Sequence, residues 1–332
     1  MDSLLNSFQN TTVLIVGDVM IDCYLRGKVT RISPEAPVPI VSMQQRENRL
    51  GGAANVALNV KALGANPILC SVIGNDGKIE MLTEELIKQR ISEHIFIEED
   101  SRKTTVKYRV IGNQVQMLRV DDEDTKSISP ESERQVVEAI RHIVTHKKVD
   151  ALIFVDYDKG MLTATLIKTV VELCRQYDII TAVDPKKNNF HHYQDVTLFK
   201  PNRKEFQEGV GITDHTSSLH ELEEEMRKFA IKQNIDYVMT TLSEEGVAIY
   251  KQHSDLFIHQ PAYQRAISDV SGAGDTVISV VTLALRQEVP LSIMAQLANL
   301  GGGVVCEHAG VVPLTANMLK EEFCKRKGSC NI

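Results

Sequence analysis

Tryptophan is absent from this sequence, aromatic residues make up only 5% of its 332 positions, and cysteine is scarce. Six cysteines (Cys23, Cys70, Cys174, Cys306, Cys324 and Cys330) are far too few for a disulfide scaffold. No C-x-x-C pair suggests zinc. The expectation is a reduced chain with free thiols, most of them core filler. No apolar run approaches the roughly 18 residues that a membrane helix needs. The opening MDSLLNSFQN lacks the basic region and long apolar stretch of a secretory leader. Both absences predict a cytoplasmic protein without a membrane partner. Basic charge is also short: 37 Lys and Arg against 44 Asp and Glu leave a formal charge of −7. That argues against a nucleic-acid partner, which normally meets a basic face. A small anionic substrate held by a few local cations is still compatible. With 43% hydrophobic residues, the chain can fill a sizeable core.

What is present is a rhythm of apolar run, turn and helix. Residues 12–17 (TVLIVG) read as a buried parallel strand ending in glycine. Residues 52–63 carry apolar side chains at helical spacing and stop at Gly64. Strands are expected at 67–73, 149–155, 179–183, 196–199 and 236–241, with a β-rich stretch at 247–259. Helices are expected at 77–90, 129–146, 163–177, 216–233, 273–287, 290–308 and 315–326. Ser129 suits an N-cap and Pro130 the first helical position. This alternation predicts an α/β fold with a mostly parallel sheet covered by helices on both faces. Two segments break the rhythm. Residues 22–50 hold Pro34, Pro37 and Pro39 and no helical period, and residues 104–121 alternate around Gly112-Asn113, a hairpin signal. Together they predict a small β-sheet lid.

The sharpest motif is Asp269-Val-Ser-Gly-Ala-Gly-Asp275, running straight into an apolar helix. A Gly-Ala-Gly turn at a helix start offers backbone N–H groups without intrahelical partners, in the positive field of the dipole. That is an anion cradle. A carboxylate beside a bound phosphate is unfavourable unless it has a task, and the natural one is to take a proton from an attacking hydroxyl. The same heptapeptide could also be a plain glycine-rich connection with Asp275 as a favourable first-turn acid. Leu50-Gly-Gly-Ala-Ala-Asn55 opens a second apolar helix. Its glycines permit close approach to a ligand and Asn55 can serve a sugar hydroxyl, or the stretch is simply tight helix-to-sheet packing. Gly17-Asp18 ends the first strand, where open α/β sheets bind ligands. Gly27-Lys28 and Gly77-Lys78 are not Walker loops, no G-x-G-x-x-G appears, and Asp121-Asp122-Glu123-Asp124 lacks calcium-loop spacing.

LGGAANVALNVKALGA and DVSGAGDTVISVVTLAL resemble the two signatures of the ribokinase-like (PfkB) carbohydrate kinases. GDVMIDCY, RISPEAPVPIV, DYDKG, VDPKK and KPNRKEF resemble the subgroup that phosphorylates D-glycero-D-manno-heptose 7-phosphate at its anomeric O1. The resemblance spans residues 12–320. It implies one ribokinase-like domain over 1–332 with lid segments 22–50 and 104–121, ATP with Mg²⁺, and a homodimer through the lids. The implied product, heptose 1,7-bisphosphate, would serve ADP-heptose and lipopolysaccharide core synthesis. Asp275 would be the general base, and the Gly272, Ala273 and Gly274 amides the anion hole. Asn202 and Glu205 would serve the metal–phosphate region, Glu205 holding Mg²⁺ through water. Thr241, Ser243, Gly246, Asn299 and Gly303 would line the nucleotide pocket. Asp18, Gly51, Gly52 and Asn55 would hold the sugar. Lys159, Lys186, Arg109 and Arg119 would meet the phosphate that the sugar already carries. A monovalent cation such as K⁺ would sit near Asp269 and Gly310. Three positions depart from the pattern: Cys23 stands for an Arg, Ser271 for a Thr, and His308 for a Lys. Relatives are often fused to a nucleotidyltransferase domain; the expectation here is the kinase part only. The rivals are another sugar or sugar-phosphate kinase of the family, and a ligand-binding regulator without turnover.

Overall fold

The structure, a computed structural model, describes residues 1–212 and 218–327. In chain order the first elements are α1 (Asp2–Phe8), β1 (Thr12–Gly17), β2 (Val19–Ile32), β3 (Pro39–Gly52), α2 (Ala53–Ala62), β4 (Asn66–Gly74), α3 (Ile79–Lys88) and β5 (His94–Glu99). Next come β6 (Val106–Gly112), β7 (Val115–Asp122), α4 (Pro130–His146), β8 (Ala151–Val155), α5 (Ala164–Gln176), β9 (Ile180–Asp184) and β10 (Leu198–Phe199). The chain continues through α6 (Arg203–Val210), α7 (Leu219–Gln233), β11 (Tyr237–Thr241), β12 (Val247–Lys251) and β13 (Leu256–Gln260). It ends with α8 (Ala273–Arg286), α9 (Leu291–Cys306) and α10 (Ala316–Lys327).

Nine strands form the main sheet in the order β13-β12-β11-β10-β9-β8-β1-β4-β5, parallel except for the edge strands β12 and β13. The run TVLIVG explains why β1 lies at its interior. Val13 and Ile15 enter one core with α2, α8 and α9, while Leu14 and Val16 enter the other with α4, α5 and α7. A strand buried on both faces has no polar side to present, hence the unbroken apolar run. Ser129 caps α4 by accepting from the Ser132 amide (3.1 Å), as its position before Pro130 predicts.

The two irregular segments form a second sheet, ordered β3-β2-β6-β7. The hairpin turn between β6 and β7 falls on Asn113 and Gln114, one residue later than expected. Both have positive φ (50° and 67°), the conformation a twisted two-residue hairpin requires. Asn113 locks it by accepting from the Val29 amide and donating to the Val29 carbonyl, both at 3.1 Å. Helices α1 and α6 and strand β5 were not expected. The start of the expected 216–233 helix lies partly outside the described residues, and α7 is described from Leu219. Cys23, Cys70, Cys174 and Cys306 are buried free thiols. Cys324 is disulfide-bonded, so the expectation of free thiols fails there; Cys330 lies outside the described residues.

Candidate active site

The two glycine motifs meet. Helix α2 packs against α8 through Asn59, which is fully buried and accepts from the Thr276 hydroxyl (3.1 Å) and the Leu314 amide (3.0 Å). One turn earlier on α2, Asn55 donates to the Asp275 carboxylate at 2.7 Å. The Tyr157 hydroxyl donates to the other Asp275 oxygen at 2.9 Å. Asp275 is only 3% exposed. Burial pushes its pKa up to about 6, and the charge of Asp184 adds to the rise; the bonds from Asn55 and Tyr157 and the charge of Lys200 oppose it. The result is a carboxylate ionised at neutral pH yet basic enough to take a proton.

Gly272 caps α8 in the left-handed region (φ 79°), which a residue without a Cβ enters freely. A Cβ there would lie 3.0 Å from the Asn55 side-chain nitrogen, so a side chain would press on the hydrogen-bond partner of Asp275. On the other side, a Cβ at Gly274 would lie 3.4 Å from an Asp184 oxygen and 3.7 Å from Lys200 Nζ. Lys200 and Asp184 form a buried ion pair (3.1 Å) beneath the turn. Of the three expected amide donors, Ala273 bends back to the Val270 carbonyl (3.3 Å), leaving the helix-start amides that follow it as the better anion donors.

Beside this turn opens a cavity of about 560 Å³ lined by Ala273, Gly274 and all five expected nucleotide residues, Thr241, Ser243, Gly246, Asn299 and Gly303. That volume suits a nucleotide. Gly246 has φ 98°, and a Cβ there would sit 2.0 Å from the Gln260 carbonyl oxygen. Asn299 shapes the opposite wall, donating to the Pro261 carbonyl at 2.7 Å. Asn202 and Glu205 lie outside that lining. They form a reciprocal cap on α6, each accepting from the other's amide at 2.8 Å, and Glu205 also holds Lys186.

The expected sugar-side residues are placed differently from one another. Asn55 adjoins Asp275. Gly52 (φ 57°) packs on the Asp18 carbonyl, and Gly51 lies against the Asp22 carboxylate. Asp18 is buried, and its oxygens accept from the amides of Tyr157 (2.9 Å), Lys159 (3.2 Å) and Met161 (3.4 Å). It therefore organises the loop that carries Tyr157. Each of the four expected phosphate cations already has a carboxylate: Arg109 has Asp22, Arg119 has Asp121, Lys159 has Glu123 and Lys186 has Glu205. Asp269 accepts from the Gly310 amide (3.0 Å) and the Ser271 amide (2.9 Å), and an Arg49 nitrogen lies close to Gly310. Each Asp269 oxygen at the expected K⁺ position thus accepts one amide and keeps a further lone pair.

Sequence reasoning missed Tyr157, Asp184 and Lys200. The string DYDKG drew attention to its lysine, and VDPKK and KPNRKEF to other members. Their shared location is set by three strand ends that only the sheet brings together.

A buried carboxylate beside a helix start, with a nucleotide-sized cavity alongside, is an arrangement that a kinase acting on an alcohol can use. The model of the pfkB family carbohydrate kinases matches residues 10–317, and the chain belongs to that family. It is 35% identical over 312 residues to the bifunctional protein HldE of Methylobacillus flagellatus, covering 94% of this chain and 63% of that protein. The HldE of Geobacter sulfurreducens is 37% identical over 300 residues, covering 90% and 60%. The chain thus spans less than two thirds of the length of these curated relatives. Phosphofructokinase-2 from Escherichia coli, solved in complex with substrates and products, superposes with a TM-score of 0.77 at 15% identity, over 95% of this chain and 99% of that one. Among the described residues, no helix is long and apolar enough to cross a membrane.

Proposed function

We propose that this sugar kinase transfers the γ-phosphoryl group of ATP to the anomeric O1 of D-glycero-D-manno-heptose 7-phosphate. The observation that carries the chemistry is Asp275, held by Asn55 and Tyr157 at the edge of the 272–274 turn. The heptose reading is supported by RISPEAPVPIV, DYDKG and VDPKK and by the likeness to HldE proteins. ATP occupies the cavity lined by Thr241, Ser243, Gly246, Asn299 and Gly303, and its terminal phosphate meets the helix-start amides. Asn55 and the Gly51-Gly52 backbone flank the sugar. Asp275 accepts the O1 proton as that oxygen attacks phosphorus in line, and the amides stabilise charge on the transferring oxygens.

No group of three or more His, Cys, Asp or Glu able to hold a metal exists among the described residues. Glu205 caps the Asn202 amide with one carboxylate oxygen and pairs with Lys186 through the other, so it would reach Mg²⁺ through water, with substrate phosphates supplying the direct ligands. Bound there, Mg²⁺ would neutralise phosphate charge. Cytoplasmic location, and a place in ADP-heptose and lipopolysaccharide core synthesis, belong to the same proposal.

The test is a panel of heptose 7-phosphate, ribose and fructose 1-phosphate, with ADP formation as readout. Heptose 7-phosphate is expected to lead in kcat/KM by at least about 100-fold, the scale of discrimination a polar site built for one acceptor can reach. Equal or better turnover of ribose or fructose 1-phosphate would refute the assignment.

We further propose that the lid sheet pairs with a second copy. Val115, Met117, Leu118 and Val120 on β7 are 42–61% exposed, a concentration of apolar surface unusual for a free edge strand. Sedimentation equilibrium at micromolar concentration is expected to give a dimer, and Leu118→Asp a monomer. A monomeric wild-type protein contradicts the pairing.

A further inference from the structure

The four cations first assigned to the acceptor's phosphate are each ion-paired within the fold, but a fifth, Lys107, is not. Lys107 lies on β6 of the lid sheet and is partly buried. Its ammonium has no carboxylate within ion-pair distance among the described residues. Its contact is with the Tyr157 ring, whose centroid lies 6.0 Å from Nζ. Lys186 approaches the same ring at 5.7 Å. The hydroxyl of that ring holds Asp275. Lys107 therefore stands one aromatic ring away from the base, on the element that would cover a bound sugar.

We propose that Lys107 is the residue that receives the acceptor's own phosphate and so makes the kinase specific for a phosphorylated sugar. The inference rests on the sugar-phosphate reading above. An anion gains most from the cation with no direct ion pair, since binding at Lys159, Lys186 or Arg109 must share charge with a contacting Glu123, Glu205 or Asp22. Burial lowers the pKa of Lys107 and the charge of Lys159 lowers it further, while the charges of Glu123, Asp22 and Asp121 partly oppose the shift. A dianionic phosphate arriving between the two lysines would relieve that repulsion. Tyr157 offers a π-face that tolerates the ammonium until the anion arrives.

The test is steady-state kinetics on wild type, Lys107→Met, Lys107→Arg and a control, Lys28→Met, on the exposed side of the lid. The acceptors are heptose 7-phosphate and heptose without its phosphate, and thermal melting confirms folding. Lys107→Met is expected to raise KM for heptose 7-phosphate at least tenfold, with the loss in kcat/KM tenfold larger than for phosphate-free heptose. Lys107→Arg should recover most of the loss, and Lys28→Met should match wild type. If the wild type prefers heptose 7-phosphate but Lys107→Met loses equally with both acceptors, or loses nothing, the Lys107 assignment is overturned alone. If the wild type turns over phosphate-free heptose as well as the phosphorylated form, the sugar-phosphate reading falls and Lys107 with it.

Discussion

Asp275→Asn is expected to lower kcat by about 10²–10⁴-fold, the usual worth of a positioned general base. ATP binding should change by less than about twofold, because the cavity walls and the amides of the turn stay in place. The pH dependence follows from the same burial. Asp275 must be ionised to take the O1 proton, and its pKa stands near 6. The logarithm of kcat/KM should therefore fall with unit slope as pH drops through about 6, and this limb should vanish in the Asn variant. Stability should move the opposite way. The folded protein holds this proton more tightly than the unfolded chain, whose ordinary carboxyl value is 3.8. Stability from this group is thus gained as pH falls from 6 toward 3.8 and is missing at pH 7. An enzyme that keeps wild-type kcat after Asp275→Asn would remove the base from the mechanism.

Lys200→Met should have the largest effect on the fold itself. Lys200 is 2% exposed and its partner Asp184 is 7% exposed, so removing the cation leaves a carboxylate stranded under the glycine turn. Breaking such a pair costs about 3–5 kcal/mol. The site should register the change as well. Asp184 raises the pKa of Asp275 and Lys200 lowers it, so loss of the lysine moves the acid limb of kcat/KM to higher pH. Adding Asp184→Leu removes the stranded charge. The double variant should regain most of the stability and bring the limb back down. Urea denaturation and a pH–rate profile on the three proteins check both parts. A single variant as stable as wild type, with an unmoved limb, would show that this pair neither supports the turn nor tunes the base.

Much of this site was visible in the chain because its chemistry is local. DVSGAGD places a left-handed glycine, free amides and a carboxylate within one helical turn, and a helix start behaves the same way wherever it is packed. LGGAAN is legible for the same reason, and so is the buried strand TVLIVG. The residues that complete the site are not local. Tyr157 follows β8, Asp184 ends β9 and Lys200 follows β10, and they converge because parallel strands deliver their ends to one edge. Asp18 shows the same limit. Its position after β1 suggested a sugar contact, but that its oxygens also accept from three amides of the 157–161 loop could not be read from the chain. The lid hairpin was foreseen from alternation, but its turn moved by one residue, since register is settled by pairing with β2 and not by the dipeptide.

Backbone freedom at glycines, the periods of apolar residues and the placing of a carboxylate at a helix start were all written in the order of amino acids, because each depends on neighbours within a few positions. Which lysines are ion-paired, how far a carboxyl titrates from its usual range, and what a given aspartate binds were decided by folding alone. Those properties are sums over charges and buried surface from distant segments, and no stretch of the chain holds the whole sum.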